Sequence, residues 1–238
     1  IPLQNSGIQT DRDDIIFDFD KAALIEKLKK AFSGEYDSTF KRKYRIENSS
    51  SYKFADRLEA QEFDENEIVK CAYRPFDWRW AYYKIGFTSR PAYEVMQHMT
   101  RPNFALQICR QLSTNNFQHI FVSRGISERC LVSINTKELS YVHPLYLYED
   151  STQSSLLQDE PRKPNIAAGF ADEFSKKIGM TYIQDGKGDL KKSFGPEDVF
   201  YYTYAIFHSP NYRSRYAEQL QINFPHLPLT SEKSFLQN

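Results

Sequence analysis

The sequence has few cysteines, only three in 238 residues: Cys71, Cys109 and Cys130. They are widely spaced and odd in number, and no CxxC or Cys/His cluster occurs. This pattern argues against both a disulfide framework and a zinc site. Because all three lie in apolar, strand-like runs, we expect free and buried thiols.

Long hydrophobic runs are also missing. No apolar segment is long enough to cross a bilayer, and no signal peptide is present. We therefore expect a protein of the reducing cytoplasm with no membrane partner. The chain opens at Ile1 without Met, which favours a fragment cut from a longer protein.

Net charge is absent as well, since 31 basic residues balance 31 acidic ones. The distribution is nevertheless uneven. Residues 70–130 contain nine Lys or Arg against three acids, whereas the first twenty residues contain five Asp and one Arg. Local fields decide binding more than the sum of charges does, so a basic middle beside an acidic edge favours a protein with one DNA-facing side.

The motifs of the common DNA-modifying enzymes are missing too. The sequence has no Gly-rich loop after a first strand and no Asn/Asp-Pro-Pro-Tyr/Phe tetrad, both of which an adenine methyltransferase needs. It also has no GxxxxGK[ST] phosphate loop and no convincing acid–acid–lysine nuclease cluster. The chain is therefore predicted to be non-catalytic and to hold no cofactor and no metal.

Isolated polar residues do not supply a catalytic site either. Asp11, Asp13 and Asp14 could suggest a metal, but an acidic loop at a domain edge is the favoured interpretation. Ser123 and Ser127 lack the G-x-S-x-G context of a nucleophile. The histidines each stand alone among apolar or aromatic residues. We interpret all of them as structural, with their hydrogen bonds satisfied: His98, His119, His143, His208 and His226.

The sequence is rich in aromatic residues and arginines between Tyr73 and Met99, YRPFDWRWAYYKIGFTSRPAYEVMQHM. We predict a strand from Trp78 to Lys84, entered through a Pro-Phe-Asp turn, and then a short helix opened by Pro91. Arginines bind phosphates and guanine edges, and aromatic rings can stack on bases, so this composition suits a nucleic-acid surface. Most of the rings are nevertheless expected to belong to the core.

The alternation of apolar residues and the positions of glycine and proline, which interrupt helices and strands, predict an α+β fold. Helices are expected at residues 21–32, 54–63, 167–178, 197–208 and 210–220, and strands at 68–73, 78–84, 104–109, 117–123, 130–134 and 141–148. The short spacing of the strands implies a twisted antiparallel or mixed sheet in the middle, with flanking helices and a helical C-terminal lobe. The rings of helix 197–208 leave little polar surface, so that helix is predicted to be buried.

Several phrases in this sequence are similar to those of a known family. YRPFDWRW-YY followed by SRP--EVM-HM, between Tyr73 and Met99, resembles the C-terminal region of type ISP restriction-modification enzymes. Similar segments occur in the same order along nearly the whole chain: residues 7–14, 121–124, 144–148, 164–167 and the terminal YYTYAIFHSPNYRSRYAEQLQINFPHLPL. No single phrase is a catalytic signature, so the resemblance depends on the ordered set. His143 departs from it, because the family more often has an aromatic residue there.

The resemblance implies a role for each part of the chain. The parent enzymes join nuclease, helicase-like ATPase, adenine-N6 methyltransferase and DNA target-recognition domains, and they use S-adenosylmethionine, ATP and Mg²⁺. Residues 1–34 would be the connector from the methyltransferase core, residues 35–150 the sheet-containing DNA target-recognition lobe, and residues 151–238 the helical C-terminal lobe. The expected partners are double-stranded DNA and the methyltransferase domain of the same parent chain.

Base reading in the major groove requires polar side chains held on rigid elements or short loops. The candidates lie on loops that flank the predicted strands: Thr88, Ser89, Arg90, Arg101, Asn115, Asn116, Arg124 and Arg129. Arg90 and Arg124 are expected to face the same groove. Some arginines could instead pair with acids, and for Arg74 and Arg79, beside Asp77, that structural interpretation is favoured.

Functions from different classes stay open at this point. The first is sequence-specific DNA target recognition for a restriction-modification enzyme. The second is a non-catalytic interaction or scaffold module, whose aromatic-rich surface docks the methyltransferase. The salt dependence of binding distinguishes these two functions. Binding through several phosphates weakens steeply as salt concentration rises, whereas apolar docking hardly changes. A catalytic domain with an unfamiliar site is a third alternative, and it would require activity from this chain alone.

Overall fold

The computed structural model describes residues 1–114, 117–135, 137–149 and 161–231. Within these ranges the helices are α1 Asp13–Ile16, α2 Lys21–Ser33, α3 Ser38–Lys43, α4 Phe54–Ala60, α5 Tyr93–Met99, α6 Ala168–Ile178, α7 Pro196–His208, α8 Pro210–Arg215 and α9 Ala217–Ile222. The strands are β1 Asn5–Ser6, β2 Phe17–Asp18, β3 Ile68–Arg74, β4 Asp77–Tyr82, β5 Ala105–Cys109, β6 Ile120–Ser123, β7 Ile126–Ser127, β8 Ser140–Pro144, β9 Tyr146–Tyr148, β10 Arg162–Pro164, β11 Thr181–Tyr182 and β12 Ser193–Phe194. Among these helices none is long and apolar enough to span a membrane.

Two four-stranded sheets form the centre of the fold. One has the strand order β1-β8-β5-β6, and all its pairings are antiparallel. The other has the order β2-β4-β3-β7, in which β7 runs parallel to β3 and the other pairings are antiparallel. The predicted α+β class, with antiparallel and mixed strand pairing and flanking helices, is confirmed, although the strands form two central sheets.

The first eighteen residues belong to both of these sheets. Asn5 pairs with Val142 across β1 and β8, and Phe17 pairs with Ala81 across β2 and β4. Ile8, between the two strands, is fully buried. The segment predicted as a connector therefore contributes strands to the body of the fold. The division into three lobes at residues 34 and 150 stays a prediction.

Helix α2 shows how local signals in the sequence determine an element. The Asp20 side chain accepts a hydrogen bond of 2.8 Å from the Ala23 N–H, one of the donors that a helix start leaves free. Leu24 and Leu28, four residues apart on one face, are fully buried. Gly34 ends the helix with a φ of 73°, a left-handed conformation that glycine adopts without strain at Cβ. Both ends agree with the sequence prediction to within one residue.

The buried apolar side chains form three clusters. The largest packs α2, α4 and α5 against the β2-β4-β3-β7 sheet and includes Phe54 and Phe87. The second, with Leu106 and Phe207, joins the β1-β8-β5-β6 sheet to α7, α8 and α9. The third surrounds Phe174 and lies between α6 and α7. Helix α7 contributes to two clusters, so the C-terminal helices are packed onto the sheet that carries β5.

Three predictions of secondary structure and one of burial are wrong. The strand predicted at residues 141–148 is divided at Leu145 into β8 and β9, which lie in different sheets. Residues 130–134 contain no strand. The chain turns there, because the buried Glu128 accepts hydrogen bonds from the Cys130 N–H at its carboxylate and from the Leu131 N–H at its carbonyl. The helix predicted for residues 210–220 is interrupted at Tyr216, whose φ of −112° and ψ of 21° separate α8 from α9. Helix α7 is buried on one side only, since Tyr201 is 46% exposed.

The cysteines are free thiols, as predicted. Cys71 and Cys109 are buried, whereas Cys130 is half-buried. Burial raises the pKa of the Cys71 thiol well above its ordinary value. Since the thiolate is the reactive form, this thiol is inert at neutral pH.

Candidate nucleic-acid interface

The β3–β4 hairpin holds the arginines of the central motif against carboxylates. Arg79 donates to the Asp77 carboxylate from Nε at 3.1 Å and from Nη2 at 2.8 Å. Arg74 pairs with Glu128 at 2.5 Å. The Arg74 and Arg79 guanidinium carbons lie 4.0 and 3.9 Å from the centre of the Tyr73 ring. The structural interpretation of these two arginines is confirmed, because both fix the hairpin through ion pairs within the domain.

Glu128 lies beneath the hairpin and is 4% exposed. Burial raises the pKa of its carboxyl, and the Cys130 N–H and the Arg74 guanidinium oppose that rise. The Arg74 side chain is 28% exposed, so only the Glu128 side of this pair is buried. Removing Arg74 would leave that buried carboxylate without its cation, which is destabilising. Arg74 is therefore committed first to Glu128.

Three of the predicted DNA contacts converge on residues 9–11 of the N-terminal segment. The Ser89 hydroxyl donates to the Asp11 carboxylate, and the Arg129 guanidinium donates to the Gln9 side-chain oxygen. Arg90 pairs with Gln9 through two backbone hydrogen bonds of 2.9 and 3.0 Å. Ser89 and Arg129 are half-buried, and Arg90 is exposed. The fold thus brings together residues that are far apart in the sequence.

Asp11 adds a negative charge to this group. Burial opposes ionisation of its carboxyl, but hydrogen bonds from Ser89 and Gln9 and the nearby Arg90 and Arg12 outweigh burial and lower the pKa of Asp11 below its ordinary value. The carboxylate is therefore charged at neutral pH. A phosphate that approaches Arg90 competes with this carboxylate for the guanidinium charge.

Arg124 and Arg101 have separate contacts within the domain. Arg124 is exposed, and its guanidinium carbon lies 4.6 Å from the centre of the Phe104 ring. Arg101 is half-buried and donates to the Glu149 carbonyl at 3.2 Å. Arg124 precedes β7 and Arg129 follows it, so the predicted arginines flank this strand at both ends. That Arg90 and Arg124 face one groove stays a prediction.

Thr88 is placed differently from the other candidates, since it is 3% exposed. Its hydroxyl accepts a hydrogen bond of 3.2 Å from the Lys84 N–H, and its carbonyl accepts one of 3.0 Å from Arg57. These bonds close the loop after β4 and favour a structural role for Thr88. Asn115 and Asn116 lie outside the described residues, and as DNA contacts they stay predictions.

A buried carboxylate that the sequence did not reveal connects two loops. Glu138 has no exposed surface and accepts hydrogen bonds from the Ser113 N–H at 2.7 Å, the Ser133 hydroxyl at 2.5 Å and Asn135 at 3.1 Å. His119 Nε2 lies 3.5 Å from the same carboxylate. Burial opposes ionisation, but the hydrogen bonds outweigh it and hold the pKa of Glu138 at about 2. The segment after β5 is thereby tied to the segment before β8.

The histidines are not all satisfied, contrary to the prediction. His98 accepts a hydrogen bond of 3.1 Å from the Tyr148 N–H, as expected of a structural histidine. His119 Nδ1, by contrast, is buried without a hydrogen-bond partner in the described part of the chain. Burial lowers the pKa of His119, against the influence of Glu138. No group of three or more His, Cys, Asp or Glu that could hold a metal occurs in the ranges that the structure describes.

The fold and these surfaces define a class of protein, an α+β domain with two central sheets and with exposed arginines on its loops. A family comparison gives the particular family. The model of the Type ISP C-terminal specificity domain matches residues 1–237. The chain belongs to this family, and the family resemblance noted in the sequence is confirmed.

Solved structures with a similar fold include three DNA complexes. They are the ATP-dependent Type ISP restriction-modification enzyme LlaBIII bound to DNA (TM-score 0.72, 20% identity, 98% of this chain covered), the DrdV–DNA complex (0.69, 19%, 99%) and a nuclease-deletion mutant of the Type ISP enzyme LlaGI with a DNA substrate mimic (0.63, 18%, 99%). This chain spans 15%, 22% and 21% of those chains, respectively. A comparison with curated proteins gives no match.

Proposed function

We propose that this chain is the DNA target-recognition domain of a Type ISP restriction-modification enzyme and supplies the sequence selectivity of its parent. The observation that carries the proposal is the match of the Type ISP specificity-domain family over residues 1–237. The three similar folds were all solved with DNA or with a DNA mimic, which also supports a DNA partner.

Binding divides into contacts that position the duplex and contacts that read it. Arginines and lysines bind phosphates and set the register, whereas an arginine that forks onto guanine O6 and N7 discriminates by about 1–3 kcal/mol. Arg74 and Arg79 are held by carboxylates of the domain. The exposed Arg90 and Arg124 are therefore the first candidates for base reading.

For the parent enzyme we propose adenine-N6 methylation with S-adenosylmethionine, and cleavage of unmodified DNA after ATP- and Mg²⁺-dependent translocation in the cytoplasm. The ATP dependence of LlaBIII supports this assignment. The present chain contains no motif for any of these reactions, so we expect no methyltransferase, nuclease or ATPase activity from it alone. Methyl transfer to duplex DNA by the purified chain would contradict that expectation.

A binding selection on random duplexes tests the proposed function. This chain, joined to the methyltransferase domain of its parent, is expected to enrich one defined sequence. Its affinity should fall linearly with salt on a double-logarithmic plot, because phosphate contacts release counterions. Binding without sequence enrichment and without salt dependence would contradict target recognition.

A second function, docking of the methyltransferase domain, is favoured by a separate observation. Phe76, at the turn between β3 and β4, is 96% exposed. The cations beside it are already paired with carboxylates, so the DNA proposal does not explain this ring.

A further inference from the structure

The N-terminal segment is the middle strand of a three-stranded arrangement that carries two of the predicted DNA contacts. On one side, Gln9 and Arg90 form an antiparallel bridge and exchange backbone hydrogen bonds of 3.0 and 2.9 Å. On the other side, Ile8 forms a parallel bridge with Glu128, and the Arg129 N–H donates to the Ile8 carbonyl at 2.9 Å. Residues 8 and 9 therefore join the loop after β4 to the segment after β7.

The register of these bridges places three side chains on one face. Residues opposite each other in a bridge project from the same face, and neighbours along a strand alternate between faces. Ile8 and Glu128 project into the interior, where both are buried. Arg90, Gln9 and Arg129 therefore project from the other face, in that order across the three strands. We call these three residues the arginine row.

Glycine at position 7 allows the middle strand to approach residues 127–129. A Cβ at Gly7 would lie 2.6 Å from the Arg129 backbone nitrogen and 2.7 Å from the Ser127 carbonyl oxygen, so the backbone would have to move. The pairing that builds the arginine row therefore depends on this glycine.

The spacing of the arginine row suits the major groove of DNA. Neighbouring strands lie about 4.8 Å apart, so the backbones of Arg90 and Arg129 are separated by about 10 Å. The major groove is about 12 Å wide and admits a β-ribbon, which some DNA-binding proteins use to read it. The two arginines can therefore enter one groove together.

A chain of side-chain hydrogen bonds orients the row. The Arg129 guanidinium donates to the Gln9 side-chain oxygen, which belongs to a neutral amide, so this contact does not neutralise the arginine charge. The Gln9 amide nitrogen donates in turn to Asp11 at 2.6 Å, and Ser89 donates to the other oxygen of the same carboxylate. Arg129 is thus oriented before it meets a ligand, which lowers the entropy cost of binding.

Asp11 indicates which part of the DNA the row contacts. Its ionised carboxylate lies beside the row and would repel a phosphate there. The edge of a guanine, by contrast, is uncharged and offers the O6 and N7 acceptors to an arginine fork. The arginine row therefore suits the base edges of G·C pairs better than it suits the phosphate backbone.

We propose that the arginine row reads G·C base pairs in the major groove of the target, with Gln9 as the positioning residue of Arg129. Arg90 and Arg129 donate to O6 and N7 of two guanines, and Gln9 holds the Arg129 fork in place through its side-chain oxygen. The inference rests on the proposed function, because it assigns residues and a base type to the same DNA contact. It adds Gln9 and Asp11 of the N-terminal segment to that interface.

Binding selections with the full parent chain test the proposal. Arg129→Lys keeps the charge but loses the fork, so it is expected to lower the preference for guanine at one position of the target by about 5- to 150-fold and to leave the other positions unchanged. Gln9→Met, which keeps the length of the side chain and removes its amide, should relax that same position. Gln219→Met, at an exposed glutamine on α9, is the matched control and should relax none.

The position that relaxes distinguishes base reading from a merely structural role. A loss of stability weakens binding to all sequences alike, whereas a lost base contact relaxes one position. The double variant of Gln9→Met and Arg129→Lys is expected to relax that position no more than Arg129→Lys alone, because Gln9 acts through Arg129. Relaxation of a different position by Gln9→Met would overturn the role of Gln9.

The salt dependence of binding shows whether Arg129 contacts a phosphate. Arg129→Ala is expected to leave the salt slope unchanged, so a slope reduced by about one would place Arg129 on a phosphate and overturn the proposal. If the unmodified chain enriches no sequence, the proposed function fails and this inference falls with it. If a sequence is enriched but Arg129→Lys and Gln9→Met keep every guanine preference, this inference alone fails.

Discussion

At the scale of single residues, neighbouring groups determine what an arginine does. Arg74 forms an ion pair with Glu128, and Arg79 forms one with Asp77, so both positive charges are compensated within the domain. Arg124 is exposed and lies over the Phe104 ring, which leaves its outer edge free to meet a ligand. The same residue type therefore stabilises the hairpin in one place and can contact DNA in another.

The exposed arginines give the first prediction. Alanine at Arg90 or at Arg124 is expected to weaken binding to the cognate duplex by about 1–3 kcal/mol, the usual effect of losing a base-contacting arginine. Fluorescence anisotropy with labelled duplexes measures the affinity. Arg215→Ala, which removes an exposed arginine from α8, is the matched control. Unchanged affinity in both variants would show that neither arginine contacts DNA.

Glu138 gives the second prediction. Glu138→Gln is expected to lower the free energy of unfolding at neutral pH by about 1–3 kcal/mol, because hydrogen bonds to a charged acceptor become weaker. The folded pKa of about 2 lies below the ordinary value of 4.5. A lowered folded pKa contributes stability that is present above the unfolded value and is lost as pH falls through the folded one. The difference between wild type and variant should therefore shrink from about pH 4.5 towards pH 2.

Urea unfolding at several pH values measures this difference. Glu173→Gln, which neutralises an exposed glutamate on α6, is expected to change stability little and serves as the control. A difference for Glu138→Gln that stays constant down to acid pH would mean that the ionised carboxylate does not carry the stabilisation.

The candidate site was only partly accessible to sequence analysis at this scale. Asp77 stands two residues from Arg79, so their ion pair follows from the sequence itself. The contacts of Ser89 with Asp11 and of Arg129 with Gln9 join residues 78 and 120 positions apart, and no local pattern encodes them. The Glu138 network was missed for the same reason.

At the scale of elements, helices and strands with local start and stop signals were predicted well. The two ends of α2 follow from Asp20 and Gly34, and Gly179 closes α6 in a left-handed conformation as expected. Strand β7 was not predicted, because its two residues pair with β3, more than fifty residues earlier. Helix α5 begins at Tyr93, since Ala92 has a φ of 48° that a helix cannot include.

The capping residue of α2 gives a prediction at this scale. Asp20→Ala is expected to lower the free energy of unfolding by about 1 kcal/mol, because the Ala23 N–H loses its acceptor. Thermal or urea unfolding measures the loss. Asp172→Ala removes an exposed carboxylate from the middle of α6 and should cost less, since alanine favours a helix interior. Equal effects of the two substitutions would show that the Asp20 cap does not stabilise α2.

At the scale of the whole molecule, two kinds of surface have separate chemistry. The turn of the β3–β4 hairpin exposes the Phe76 ring beside compensated charges, whereas Arg90 after β4 and Arg124 before β7 are exposed cations on loops. In the proposed function the exposed cations contact the duplex, and the exposed ring would contact a neighbouring domain. The balance of 31 basic and 31 acidic residues means that neither contact benefits from a strong overall field.

The affinity of this chain alone follows from that balance. With no formal net charge and with Arg74 and Arg79 paired internally, the domain can neutralise only a few phosphates. Non-specific Kd should lie on the order of 10⁻⁴ to 10⁻⁶ M at physiological salt. The logarithm of the binding constant should fall with the logarithm of salt concentration at about −0.9 per phosphate contacted, and the total slope should be small.

Affinity and sequence preference should both rise when the methyltransferase domain is joined to the chain, because a second surface then closes on the duplex. A salt series with and without that domain measures both effects. Tight, salt-insensitive binding by this chain alone would contradict a shared clamp, whereas no binding even at low salt would leave docking as its function.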